Sequence, residues 1–164
     1  MTVKLKEPEV VGVPASAPPA AAAVASPVPR EELLAALNEL LEAERAGARV
    51  AMETVREIQS SELAALVQDI HKDEVRWCGM LMRTIKALEG ESSSATGAFW
   101  GKAMAITNVQ QRLTFLNRGQ AWVVRKLQAL IPRIEDAHVR SELTAMLEAH
   151  HHNIGLVDAR PIVG

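Results

Sequence analysis

From residue 30 onward, apolar side chains recur every three to four positions in four stretches, about 30 to 59, 61 to 89, 108 to 131 and 135 to 155. That period is the signature of amphipathic helices. Ser60 and Ser61 leave almost no room between the first two stretches, which predicts an antiparallel hairpin with Ser61 as N-cap of the second helix. Pro132 breaks the third stretch and starts a short turn into the fourth, so these two form a second hairpin. Between the hairpins lies GESSSATGAFWGKAMAIT, Gly90 to Thr107, a Ser- and Gly-rich connector with a short helical piece near residues 97 to 106. The expected fold class is all-α, an antiparallel four-helix bundle with a long crossover between helices 2 and 3.

Projecting each helix at about 100° per residue separates the buried face from the wet one. In the first helix Leu34, Leu37, Leu41, Ala48, Ala51, Val55 and Ile58 line one stripe, and Glu44 is the charged residue inside it. In the second, Leu63, Val67, Ile70, Trp77, Leu81, Ile85 and Leu88 surround Glu74, with Asp73 and His71 towards the edge. The third stripe runs Val109, Leu113, Leu116, Val123, Leu127 and Leu130 around Gln120, flanked by Asn117. In the fourth, His150 falls among Val139, Leu143, Met146, Leu147 and Ile154, while His151 sits on the shoulder and His152 faces water.

Glu44 and Glu74 lie about 15 residues either side of the first turn, and Gln120 and His150 about 15 either side of the second. Their heights therefore coincide, and the sequence predicts one buried layer of two carboxylates, one amide and one imidazole. Burying a charge costs several kcal/mol unless it is paired or bound to a metal, so this layer is the candidate site. Glu148 and His151 have the Glu-x-x-His spacing of a metal site, but Glu148 projects almost opposite the apolar stripe and reads as a solvated residue.

Composition narrows the classes. The chain has 164 residues, 48% hydrophobic and 23% charged, with a net charge of -2, which excludes the basic footprint of a nucleic-acid binder. Tyr is absent and only two Phe are present, so strand formers are scarce. Residues 1–29 are rich in Ala, Pro and Val and read as a disordered leader; Pro14, Pro18, Pro19 and Pro27 break its apolar run, leaving neither a signal peptide nor a membrane span. Residues 30–156 form the bundle and 157–164 a C-terminal tail, in a protein expected to be cytoplasmic. Cys78, the one cysteine, reads as a half-buried hydrophobe. No nucleophile with a base beside it and no Gly-rich phosphate cradle is found, which argues against a hydrolase or nucleotide enzyme.

The segments DEVRWCGML, FLNRGQAWVVRKL and MLEAHHHNI resemble an uncharacterised bacterial family of ferritin-like domains that occurs alone or fused to ThiJ/PfpI-like domains. The resemblance covers about residues 30 to 156 and implies a ferritin-like bundle. Ferritin-like di-iron proteins use one Glu on each of two helices and Glu-x-x-His on the other two. By that resemblance Glu44 stands for the first single Glu and Glu74 for the Glu of the first Glu-x-x-His. Trp77 takes that motif's His position, Gln120 replaces the second single Glu, and Leu147 precedes His150 where a carboxylate belongs. A full di-iron site is not expected.

Two readings stay open. In one, Glu44, Glu74 and His150, with Gln120 or His71 beside them, hold a single iron, manganese or zinc ion with a redox or stress-related role. In the other, the layer is a metal-free hydrogen-bonded network with one protonated carboxyl, inside an interaction or regulatory bundle that forms a homodimer or binds a protein partner.

Overall fold

The computed structural model describes residues 25–160. Within them the protein is all-helical, with no strand. Four long helices, α1 (Arg30–Val55), α2 (Ser61–Ala87), α4 (Val109–Leu130) and α5 (Ala137–Asp158), are joined by a short α3 (Phe99–Met104) and a 3-10 turn at Ile131–Arg133. α1 packs along α2, α4 along α5, and the two pairs meet through α1 with α4 and α2 with α5. No helix among the described residues is long and apolar enough to cross a membrane.

Local chemistry sets the boundaries. The N-cap of α2 is Ser60, not Ser61: Ser60 is extended (φ -68°, ψ 121°) and its hydroxyl accepts from the Leu63 N–H at 3.3 Å, leaving Ser61 as the first helical residue. Asn108 caps α4 by accepting from Gln111 N–H at 2.9 Å, and Asp136 caps α5 by accepting from Val139 N–H at 2.9 Å. α1 stops at Val55, four residues before the expected end, and α5 runs on to Asp158, past the expected boundary of the bundle at residue 156.

Residues 1–24 of the expected leader and 161–164 of the tail lie outside the described residues. Residues 25–29 have no regular structure, yet they are tied down: Val28 N–H donates to the Arg133 carbonyl at 3.0 Å, and Arg133 in turn donates to the Ser26 carbonyl at 3.0 Å.

The core divides into two apolar clusters. One gathers Leu37, Leu41, Leu81, Ile85, Leu127 and Leu143; the other gathers Val50, Val67, Ile70, Leu113 and Leu116. The stripe of α1 is wider than periodicity implied, since Leu33 and Leu40 are buried while Leu34 and Ile58 are partly exposed. In α5, Leu147 and Ile154 are likewise half-buried.

The crossover is seated by α1's polar face. Arg30 donates to the Leu88 and Glu89 carbonyls at 2.7 to 3.0 Å. Asn38 donates to the Glu91 carbonyl and accepts from Ser93 N–H, and Arg45 donates to the Ser93 carbonyl at 2.9 Å. Glu42 accepts from the Ser93 hydroxyl. Residues that point away from the apolar core thus hold a strap of chain, which ends at Gly97 in the left-handed region (φ 73°) and turns into α3.

Candidate functional site

Four helices each contribute one polar side chain to a single layer between the two apolar clusters. Glu44 is 2% exposed, Glu74 3%, Gln120 3% and His150 2%, and all four line one cavity of about 550 Å³. The cavity's other walls are apolar, among them Ala43, Phe99, Phe115, Leu116 and Val123. Its rim carries Glu39, Glu42, Arg118, Arg125 and Trp122.

His150 is held at both nitrogens. Nδ1 lies 2.9 Å from the Met146 carbonyl, which only accepts, so Nδ1 carries a proton and donates. Nε2 lies 2.9 Å from Glu44 Oε1. Burial pushes the imidazole's pKa down, but Glu44, the Met146 carbonyl and Asp73 outweigh it and leave the pKa above the ordinary 6.5. A buried imidazolium against the Glu44 carboxylate is the consistent protonation state.

Glu74 behaves oppositely. Desolvation, then the nearby charges of Glu44 and Asp73, hold its carboxyl well above the ordinary 4.5, so it is retained as the acid. Its head group fits only because residue 47 is glycine: a Cβ there would stand 2.5 Å from Glu74 Oε1 and 2.8 Å from Cδ. Gly119 does the same for Phe99, whose ring would lie 2.7 Å from an added Cβ. Phe99 stacks on Phe115 with centroids 4.9 Å apart, forming one wall.

The layer is incompletely satisfied. Gln120 Nε2 donates to Asn117 Oδ1 at 3.2 Å, and Asn117 donates to the Ile154 carbonyl and to Asp158. Glu44 Oε2, Glu74 Oε2 and Gln120 Oε1 have no partner. Three buried acceptors on one cavity call for a donor or a cation, because each orphaned oxygen costs about 1–3 kcal/mol.

These oxygens suit a hard cation, but the imidazole is not presented to one, since Nε2 is turned to Glu44. Among the described residues no group of three or more His, Cys, Asp or Glu side chains is placed to hold a metal ion. His71 is not brought into the layer; its Nδ1 lies 2.9 Å from the Ala48 carbonyl, where it joins α2 to α1. Glu148, His151 and His152 are exposed. Cys78 is half-buried, and burial, then Glu44, push its thiol up to about 12, which leaves it inert as a nucleophile.

Sequence projection missed the cavity itself, with Phe99 and the strap's end as its outer boundary. The one signal available was glycine in mid-helix at 47 and 119, each costing about 1 kcal/mol relative to Ala unless something occupies the vacated space. It also missed Asn153, 5% exposed, which donates to Asp73 at 3.0 Å and extends the polar layer towards α2.

The fold and site define an all-helical protein with a half-satisfied polar layer at the inner end of a mainly apolar cavity. Residues 31–159 match the family described as a domain of unknown function, DUF6306, and the chain belongs to that family. No curated protein and no solved structure gives a significant match.

Proposed function

We propose that this protein is a ferritin-like four-helix bundle that serves as a small-molecule-binding module, with the Glu44–Glu74–Gln120–His150 layer as the receiving end of its cavity. One observation carries the reading: four buried polar side chains, three with an unpartnered oxygen, converge on a cavity whose remaining walls are apolar. That combination of apolar walls with a few convergent polar groups is the usual make-up of a small-molecule site, and the volume falls in the usual range of about 300–1,000 Å³. The crossover between α2 and α4 is the feature that favours a ferritin-like arrangement over a simple up-down bundle.

The test is saturable binding of a neutral apolar probe. Benzyl alcohol titrated into the full chain is expected to shift the fluorescence of Trp122, which is 38% exposed and lines the cavity. Ala43→Phe, which fills the cavity, is expected to abolish the shift while preserving helicity. A shift that never saturates, or that survives Ala43→Phe, overturns the reading.

A second reading is favoured by the same three oxygens: Glu44, Glu74 and His150, oriented by Gln120, take up one divalent iron, manganese or zinc ion. A redox-active ion there would supply electron-transfer chemistry, while His150 would have to exchange its contact with Glu44 for the ion. Metal analysis of untagged protein purified without chelator decides it. About one ion per chain, by the single set of ligands, lost in both Glu44→Gln and His150→Ala, establishes the reading; metal-free, folded protein that takes up none on titration removes it.

A further inference from the structure

Resting on the cavity reading above, we propose that the molecule the cavity takes is a small organic primary ammonium, an –NH3+ head on an apolar body, seated head inward. The head follows from an inventory of the floor. The unpartnered polar atoms of the cavity-lining residues are all oxygens: Glu44 Oε2, Glu74 Oε2 and Gln120 Oε1. Of the donors beside them, His150 is committed to Met146 and Glu44 and one N–H of the Gln120 amide to Asn117, which leaves the second Gln120 N–H and the Glu74 acid proton. Trp77 and Trp100 each bury an unpartnered indole N–H, but neither lines the cavity.

An anionic head would set its oxygens against these three unpartnered oxygens and its charge against the Glu44 carboxylate, so the floor disfavours a carboxylate or phosphate. A hydroxyl supplies one donor for three acceptors. A primary ammonium supplies three, and its charge lets Glu74 release its acid proton to solvent and meet the head as a second carboxylate beside Glu44.

The body follows from the walls. Phe99, Phe115, Leu116, Val123 and Ala43 give a bare ion nothing to bind, but they take a hydrocarbon or aromatic group out of water. Gly47 and Gly119 make room for the Glu74 head group and the Phe99 ring, which form part of the floor and one wall. The rim does not itself select a cation, since Glu39 is paired with Lys126 and Glu42, which keeps its charge while accepting from the Ser93 hydroxyl, faces Arg118 and Arg125 of α4; the selection lies at the floor.

The experiment is calorimetric titration of chelator-treated full chain with benzylamine, benzyl alcohol, benzoate and manganese chloride in separate runs. Benzylamine is expected to bind at least about tenfold more tightly than benzyl alcohol, as charge-assisted hydrogen bonds exceed neutral ones, and benzoate is expected not to bind. In Glu74→Gln, which keeps the shape and removes the acid, the ratio of benzylamine to benzyl alcohol affinity is expected to fall from at least about tenfold to near one. Gln120→Met, which removes a different acceptor, is expected to weaken the amine selectively, so the proposal does not hang on one variant's folding. Equal affinity for alcohol and amine overturns the ammonium but leaves the cavity reading standing. Binding of neither overturns both, and manganese binding tighter than benzylamine overturns the ammonium in favour of the ion.

Discussion

Among the described residues, two buried polar clusters differ in one respect. Towards the α1–α2 turn, Arg112 is 3% exposed, yet its guanidinium is satisfied: Nε donates to the Ile106 carbonyl at 2.9 Å, Nη1 to Glu57 at 2.7 Å and to Thr54 at 3.4 Å. At mid-height, Glu44, Glu74 and Gln120 are equally buried but each keeps an oxygen with no partner. The first cluster contributes no side chain to the cavity at the layer and stitches α4 to the end of α1. The second opens onto it. Buried polarity in a helical core is therefore not itself a sign of function; buried polarity left unsatisfied beside a space is.

The largest effect should come from breaking the one complete contact in the mid-height layer. His150→Ala leaves Glu44 buried with neither oxygen paired and is expected to cost about 3–5 kcal/mol, read from denaturant midpoints. Arg112→Met removes the satisfied cluster instead. It should cost about 1–3 kcal/mol, because Glu57 keeps access to water, and it should leave benzylamine affinity unchanged. If Arg112→Met abolishes binding as well, the two clusters are not separable and the contrast between them fails.

Gly47→Ala tests the space rather than the charge. The added Cβ displaces the Glu74 head group, with an expected cost of about 1–2 kcal/mol from overpacking and a loss of amine binding out of proportion to it.

The smallest effect, and the most specific, is the pH dependence of Glu74→Gln. In the wild type Glu74 keeps its proton in the fold at pH values above 4.5 where the unfolded chain has released it, so stability falls as pH rises from that point. His150, held above 6.5, likewise contributes fully below 6.5 and loses its contribution as pH rises through its folded value. Glu74→Gln should remove the part of the decline that begins near 4.5 and leave the part that begins near 6.5, each worth about 1.4 kcal/mol per pH unit of its window. Thermal melts from below pH 4.5 to well above pH 6.5 check it, since both declines begin at those ordinary values. A variant whose melts track the wild type throughout would show that Glu74 titrates normally.

Much of this was legible in the residue pattern because helices report their own geometry. A 3.6-residue period exposes which face is apolar, so Glu44, Glu74, Gln120 and His150 could each be assigned inward from one helix at a time. Their common height followed from two short turns, Ser60–Ser61 and Pro132, which force helices to run back beside themselves. The same reasoning correctly sent Glu148 and His152 to the surface.

What the pattern could not carry was anything that depends on two helices at once or on chain without a period. The strap from residue 88 to 98 has no periodicity, and its seating on Arg30, Asn38, Glu42 and Arg45 exists only because those side chains reach backbone carbonyls, amides and hydroxyls some fifty residues away. His150 chose Glu44 over Glu74 as its partner, and His71 chose a carbonyl of α1, by distances across helix interfaces. The cavity lies beside the Glu74 head group and the Phe99 ring, which Gly47 and Gly119 admit, and a void is a property of the packed whole. The sequence by itself determined which side chains go inside and at what level; only the tertiary structure decided which of them are satisfied and where space remains, because pairing and packing are set between elements and periodicity is set within them.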